Sequence, residues 1–205
     1  NPHTPTGTMI SAAEVARLAD GLPPQAILVL DGAYAEYVEG FDGGLAIVEA
    51  RGNVVMTRTL SKIYGLGGLR IGWGYGPAEI IDVLNRIRGP FNVTQAALAA
   101  GEAALDDQDF VVRNREHNRA ERDWMAQQLA RLDLEAIPGF GNFLLVKFPG
   151  TPGRTAADVQ AFLKAHGVIV REMGAYRLGD YLRVSIGLRE ANRRLIELLA
   201  ETFGA

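Results

Sequence analysis

The densest chemistry in this chain lies in thirteen consecutive residues: Arg58-Thr59-Leu60-Ser61-Lys62-Ile63-Tyr64-Gly65-Leu66-Gly67-Gly68-Leu69-Arg70. They offer two hydroxyls, one amine, a glycine-rich turn and a terminal guanidinium. Thr59, Ser61 and the Arg70 fork can hold a phosphate, because charge-assisted donors in that geometry match its oxygens. Glycines at 65, 67 and 68 let the backbone turn and approach closely. Lys62 is left for covalent work, since a neutral lysine amine attacks a carbonyl and forms a Schiff base. An anionic aldehyde cofactor suits this set. Upstream, Asp31 closes an apolar run and Tyr34 follows three residues on. A carboxylate beside a pyridine nitrogen keeps the ring protonated and makes it a better electron sink. A phenol such as Tyr34 can donate to a neighbouring ring oxygen. Taken singly, each residue has a plainer reading: a solvated lysine, a turn aspartate, glycines that mark only tight turns. Their order and gaps are what single them out.

These residues need elements to hold them. Residues 27–30 and 54–57 are short continuous apolar runs, which suit parallel strands covered on both faces, and the interval between them is long enough for a crossover. Parallel strands bring their C-terminal ends to one sheet edge, where open α/β sheets place ligand crevices. Asp31 and Lys62 then share one crevice. Ser11 to Glu14 has the form of a capping box ahead of a helix running to about Asp20. Residues 69–75 read as a third strand, 77–88 as a helix with Pro in its first turn, and 92–106 as another helix. Residues 107–131 form a long, highly charged amphipathic stretch. Beyond it the pattern changes to short strands at 143–147, 168–171 and 181–185, with helices near 155–166 and 188–203. The expected organisation is α/β: a mainly parallel large domain over residues 1–120, then a smaller α+β domain over residues 121–205.

The chain has 205 residues, 48% of them hydrophobic, and a formal net charge of -3. That is enough for a sizeable core, and it gives no general attraction to nucleic acid or to an anionic membrane surface. The chain contains no cysteine and three scattered histidines, which excludes disulfides and thiolate metal sites and leaves no ligand spacing for a metal. No apolar run approaches a membrane span, and no signal segment opens the chain, so a cytoplasmic protein is expected. The start at Asn1-Pro2-His3-Thr4-Pro5-Thr6-Gly7, in turn chemistry without Met, leads us to expect a further N-terminal portion.

With these residues in view, the chain resembles aminotransferases of the aspartate-aminotransferase fold, most closely the histidinol-phosphate aminotransferases. Residues 1–7 are similar to that family's N-P-N-N-P-T-G loop and residues 29–37 to its V-V-D-E-A-Y-x-E-F segment. Residues 58–72 are similar to R-T-L-S-K-x-x-G-L-A-G-L-R-x-G, and Pro90-Phe91-Asn92-Val93 to its P-[FY]-N-V segment. The resemblance implies pyridoxal 5'-phosphate as cofactor. It implies Lys62 as the Schiff-base lysine, Asp31 as partner of the pyridine nitrogen, and Tyr34 as donor to the phenolic oxygen. Ser61, Arg70 and Thr59 are implied to hold the phosphate, and Thr4 stands where the family has an Asn contact to the ring. In the C-terminal part, residues 167–171 and 182–187 are similar to the family's small-domain signature. This implies Arg183 for the substrate α-carboxylate and Arg171 for the substrate phosphate. Besides Thr4, the chain departs from the family at Gly32, where a Glu is usual, and at Glu172, where a Pro is frequent.

The activity implied is transfer of an amino group between L-glutamate and imidazole acetol phosphate, giving L-histidinol phosphate, by a homodimer acting on small molecules. Aromatic amino-acid aminotransferases and threonine-phosphate decarboxylases share the scaffold and remain alternatives. So does a non-catalytic, aminotransferase-like regulatory domain. A phosphate-binding dehydrogenase is weaker, because no G-x-G-x-x-G follows a predicted strand in the required place.

Overall fold

The structure, a computed structural model, describes residues 1–203. It divides into two compact units: residues 1–2 with 9–115, and residues 3–8 with those from 116 onward.

In the first unit, helix α1 (Ala12–Asp20) starts at Ser11, whose hydroxyl accepts from the Glu14 amide at 3.2 Å while Glu14 accepts from the Ser11 amide at 2.9 Å. This is the capping box read from the sequence. Strand β1 (Leu28–Asp31) leads through a 3-10 turn (Ala35–Tyr37) and the short helix α2 (Leu45–Glu49) into strand β2 (Val54–Thr59). The two strands are parallel, with Leu28 opposite Val54 and Asp31 opposite Thr57. Strand β3 (Gly72–Tyr75) adds antiparallel to the far side of β2, giving the order β1-β2-β3. The expected strand from residue 69 starts later, because Gly67–Leu69 form a 3-10 turn and Arg70 takes a left-handed φ of 54°.

Val15, Ala19, Ile47, Val48, Val54 and Met56 pack against Leu28 and Leu30 to form this unit's core. Alternate side chains point to opposite faces, and Val29 is 57% exposed while Leu28 and Leu30 are packed. Helix α3 (Ala78–Ile87) follows Pro77, and helix α4 (Gln95–Asp106) is capped by the Thr94 hydroxyl. Helix α5 (Gln108–Arg131) begins in the first unit and continues into the second.

The second unit is a four-stranded antiparallel sheet of order β4-β5-β7-β6. Its strands are β4 (Glu135–Ile137), β5 (Phe143–Lys147), β6 (Arg171–Glu172) and β7 (Tyr181–Ser185). Helices α6 (Ala156–Ala165) and α7 (Arg189–Phe203) join the last part of α5 on one face. There Leu144, Val146, Leu182 and Val184 from the sheet meet Met125, Leu129, Val159, Leu163, Leu195 and Leu198. The expected strand over 168–171 shrinks to Arg171–Glu172, because Val168 and Val170 turn into the core without ladder partners. Strand β4 was not expected, since three residues carry too little pattern to read. Residues 3–8 join this unit through the Phe140 amide, which donates to the Gly7 carbonyl at 2.8 Å. Gly7 has a φ of +76°, and a Cβ there would meet the Gly139 Cα at 3.1 Å, so only glycine fits comfortably. Among the described residues no helix is long and apolar enough to cross a membrane.

Candidate active site

In the first unit the C-terminal ends of β1 and β2 lie on one edge, as parallel pairing requires. Asp31 ends β1, exposed, with one carboxylate oxygen accepting from the Ala33 amide at 3.0 Å. Next along, the Gly32 amide donates to the Thr57 carbonyl at 2.9 Å and extends the ladder by one rung. Tyr34 heads the 3-10 turn and is buried. Its ring centre lies 5.2 Å from the Lys62 Nζ. A ring face so close to an ammonium attracts it by roughly 0.5–1 kcal/mol where water still has access.

Lys62 sits in a tight turn held by its own backbone. The Leu60 amide donates to the Ile71 carbonyl, the Leu66 amide to the Leu60 carbonyl, and the Gly65 amide to the Lys62 carbonyl at 2.9 Å. Leu60 and Ile63 on either side are buried and anchor the turn, leaving the amine partly exposed between them. Gly65 supplies the positive φ of 73° that closes it.

Ser61 and Arg70 are brought together: Arg70 Nη1 donates to the Ser61 Oγ at 3.3 Å and to the Gly67 carbonyl at 2.7 Å. The guanidinium remains exposed. Such a hydroxyl and fork beside a turn can accept an anion. Thr59 does different work. Its hydroxyl accepts from the Ser61 amide at 3.1 Å and reaches the Ile71 carbonyl at 3.5 Å, tying the turn from within.

Arg58 was quoted in the motif but given no role at the sequence level. Its guanidinium donates to Glu36 Oε1 at 2.8 Å and to the Asp42 carbonyl at 2.9 Å, and lies 5.9 Å from the Trp73 ring centre. Both charged side chains of this pair are nearly buried. Gly32 gives this side chain room, since a Cβ there would meet Arg58 Cδ at 2.8 Å. The departure from the family's Glu is therefore matched to the path of Arg58. Burial, reinforced by Tyr34 and Glu36, holds the Tyr37 hydroxyl protonated far above the usual phenol range. Burial also raises Tyr64, with Glu36 adding to it.

The second unit holds the other three residues. Thr4 is exposed on the loop of residues 3–8. Arg171 and Arg183 face each other directly across β6 and β7. They line an open groove of about 540 Å³ together with Gln160 and Ser185. Like charges directly opposite on a sheet are unfavourable alone and become favourable around an anion. Arg183 stacks 5.0 Å from the Phe143 ring centre, and its buried Nε has no hydrogen-bond partner among the described residues. Glu172, paired with Leu182 on the ladder, also lines this groove, so a carboxylate stands beside the two arginines.

A cluster that sequence reasoning missed fixes the exit of β7. Buried Glu121 accepts from Arg189 Nε at 2.6 Å and from Asn192 Nδ2 at 2.9 Å. Asn192 Oδ1 in turn accepts from the Gly187 amide at 2.9 Å, and His117 Nε2 lies 3.0 Å from the Gly187 carbonyl. Burial pushes the Glu121 carboxyl up, but the bonds from Asn192 and Arg189 outweigh it and hold it below the usual range.

Comparison with known proteins places this geometry in context. The family described as aminotransferase class I and II matches residues 1–199. A histidinol-phosphate aminotransferase from Cereibacter sphaeroides is 55% identical over 201 residues, covering 98% of this chain and 55% of the relative. The chain thus spans about half the length of the curated relatives it matches. Among solved structures, the histidinol-phosphate aminotransferase from Sinorhizobium meliloti in complex with pyridoxal-5'-phosphate superposes with a TM-score of 0.89 at 29% identity, covering 99% of this chain and 55% of that one. L-Threonine-O-3-phosphate decarboxylase from Porphyromonas gingivalis superposes with a TM-score of 0.83 at 26% identity, covering 98% and 62%. The aspartate-aminotransferase type of fold is shared by all of these neighbours.

Proposed function

This chain belongs to the class I and II aminotransferases, and on that premise we propose that it moves an amino group between L-glutamate and imidazole acetol phosphate, yielding L-histidinol phosphate. The observation that carries the substrate class is the opposed pair Arg171 and Arg183 over an open groove, with a buried guanidinium nitrogen still lacking an acceptor. Both partners of the reaction carry anionic groups that such a pair can take. The similarity to enzymes named for histidinol phosphate favours this substrate over phenylalanine, tyrosine or threonine phosphate.

The residues on the edge of β1 and β2 fit pyridoxal 5'-phosphate. Ser61 Oγ and Arg70 Nη1, 3.3 Å apart, supply donors for its phosphate, and the Lys62 amine is one residue from that pair. When bound, the cofactor supplies an aldehyde for amines and a ring that accepts an electron pair. In this reading Asp31 keeps a positive charge on the ring nitrogen and Tyr34 donates to the ring's phenolic oxygen. Thr4 and Thr59 complete the set of polar contacts: Thr4 as a donor to the ring, Thr59 by holding the Ser61 turn. Lys62 Nζ would hold the cofactor through its aldehyde carbon, and as a free amine it would take a proton from the substrate's α-carbon. Arg183 orients the α-carboxylate in two parallel hydrogen bonds, and Arg171 receives the substrate phosphate.

The proposed assembly is a homodimer. A cytoplasmic location goes with a substrate whose charged phosphate does not cross a bilayer. The test is amino transfer from histidinol phosphate to 2-oxoglutarate by the whole natural chain, followed as glutamate formed. Histidinol phosphate should be used in clear preference to phenylalanine and tyrosine. Preference for an aromatic amino acid, or release of carbon dioxide from threonine phosphate, overturns the assignment.

A further inference from the structure

Residues 114 and 115 are neighbours on α5, and each reaches a different part of the first unit's site. Asn114 Nδ2 donates to the Ile63 carbonyl at 3.3 Å, one residue after Lys62. Arg115 Nε donates to the Glu36 carbonyl at 2.7 Å, inside the 3-10 turn that Tyr34 heads. On the side-chain end of the same residue, Arg58 Nη1 holds Glu36 Oε1 at 2.8 Å. The turn is therefore gripped at both its carbonyl and its carboxylate. Consecutive residues on one helix keep a fixed separation, because the helix ladder allows little local stretch. Two such residues, one bonded to each segment, act as a spacer between them.

Resting on the reading of Lys62 as the cofactor-bearing residue, we infer that Asn114 and Arg115 are positioning residues that set the distance between the Tyr34 ring and the Lys62 amine, 5.2 Å in the structure. Neither residue touches the reacting atoms. Arg115 acts through Tyr34, by fixing the turn that carries the ring, and Asn114 acts through the Lys62 turn. Without Arg115 the Glu36 carbonyl loses its donor and the turn keeps only the Arg58 anchor. The ring face and the phenol then drift from the amine together.

The test uses the whole natural chain loaded with pyridoxal phosphate. It reads the pH midpoint at which the bound cofactor's absorbance changes, a quantity that loss of fold stability alone does not move. Arg115→Met keeps the apolar stem and removes the donor. It should shift the midpoint in the same direction as Tyr34→Phe, by about half a pH unit, equivalent to about threefold in the protonation ratio. In the Tyr34→Leu background, which removes both ring and phenol, it should add nothing, because a residue acting through Tyr34 has no further effect once that side chain is gone. Asn114→Ala should shift the midpoint in the parent protein as well. If Arg115→Met fails to bind cofactor, Arg115→Lys replaces it and should give a smaller shift of the same sign. An unmoved midpoint, or equal shifts of Arg115→Met in both backgrounds, overturns the inference. A parent protein that shows no cofactor band trapped on Lys62 removes the underlying reading instead, so the two failures are distinguishable.

Discussion

At the scale of single residues, the site divides into contacts within a short span and contacts across the chain. Ser61, Lys62 and Arg70 lie within ten positions of one another, and the turn that joins them was legible from its glycines and hydroxyls. The structure brings Ser61 and Arg70 within hydrogen-bond reach. Thr59 was grouped with them because hydroxyl spacing does not tell which way an oxygen points; its bonds run to the backbone. The Arg58–Glu36 pair spans 22 positions and the Glu121–Arg189 pair 68, so nothing local announced either. Arg183 carries the sharpest residue-level prediction. Arg183→Ala removes the two-bond contact proposed for the α-carboxylate, worth about 2–3 kcal/mol, so the KM for glutamate should rise about 30- to 150-fold, with kcat changed far less. Steady-state kinetics on the whole natural chain check this, and an unchanged KM removes Arg183 from the carboxylate site.

At the scale of elements, the strongest sequence signals were caps and long amphipathic patterns. Ser11 with Glu14 forms the capping box read from the sequence at the start of α1, and the structure adds a second, Thr155 with Asp158, at the start of α6. The apolar run ending in Asp31 revealed β1, but a continuous run cannot say whether one face or two are covered, and Val29 stands exposed. Strand β4 and the short β6 were beyond reading, because two or three residues are held by tertiary packing and not by pattern. Helix α5 is joined to the turn after β7 by Glu121, and this contact has a pH signature. The Glu121 carboxyl lies below its ordinary value of 4.5 in the folded chain. A depressed carboxyl contributes stability that is fully present above the unfolded value and is lost as pH falls through the folded one. Glu121→Gln should therefore lower the thermal midpoint at neutral pH, with the gap to the parent narrowing as the pH falls below 4.5. A gap that stays constant across that range contradicts the assigned role of the ionised carboxylate.

At the scale of the whole molecule, the chain combines two units with different sheets: three strands with a parallel pair, and four antiparallel strands. The change in character after the long charged stretch was visible in the sequence. Less visible was that residues 3–8 group with the second unit, since a turn-rich opening shows no preference for either core until Gly7 meets Gly139. The first unit holds the amine, hydroxyl and guanidinium proposed for the cofactor, and the second holds the opposed arginines proposed for the substrate. One assignment matters above all: Lys62 as the residue proposed to bear the cofactor. The direct measurement is borohydride reduction of the whole natural chain loaded with pyridoxal phosphate, followed by peptide mass spectrometry. The account predicts a single reduced cofactor adduct on Lys62, absent from Lys62→Ala; an adduct on Lys147 or Lys164 instead, or none at all, would contradict it.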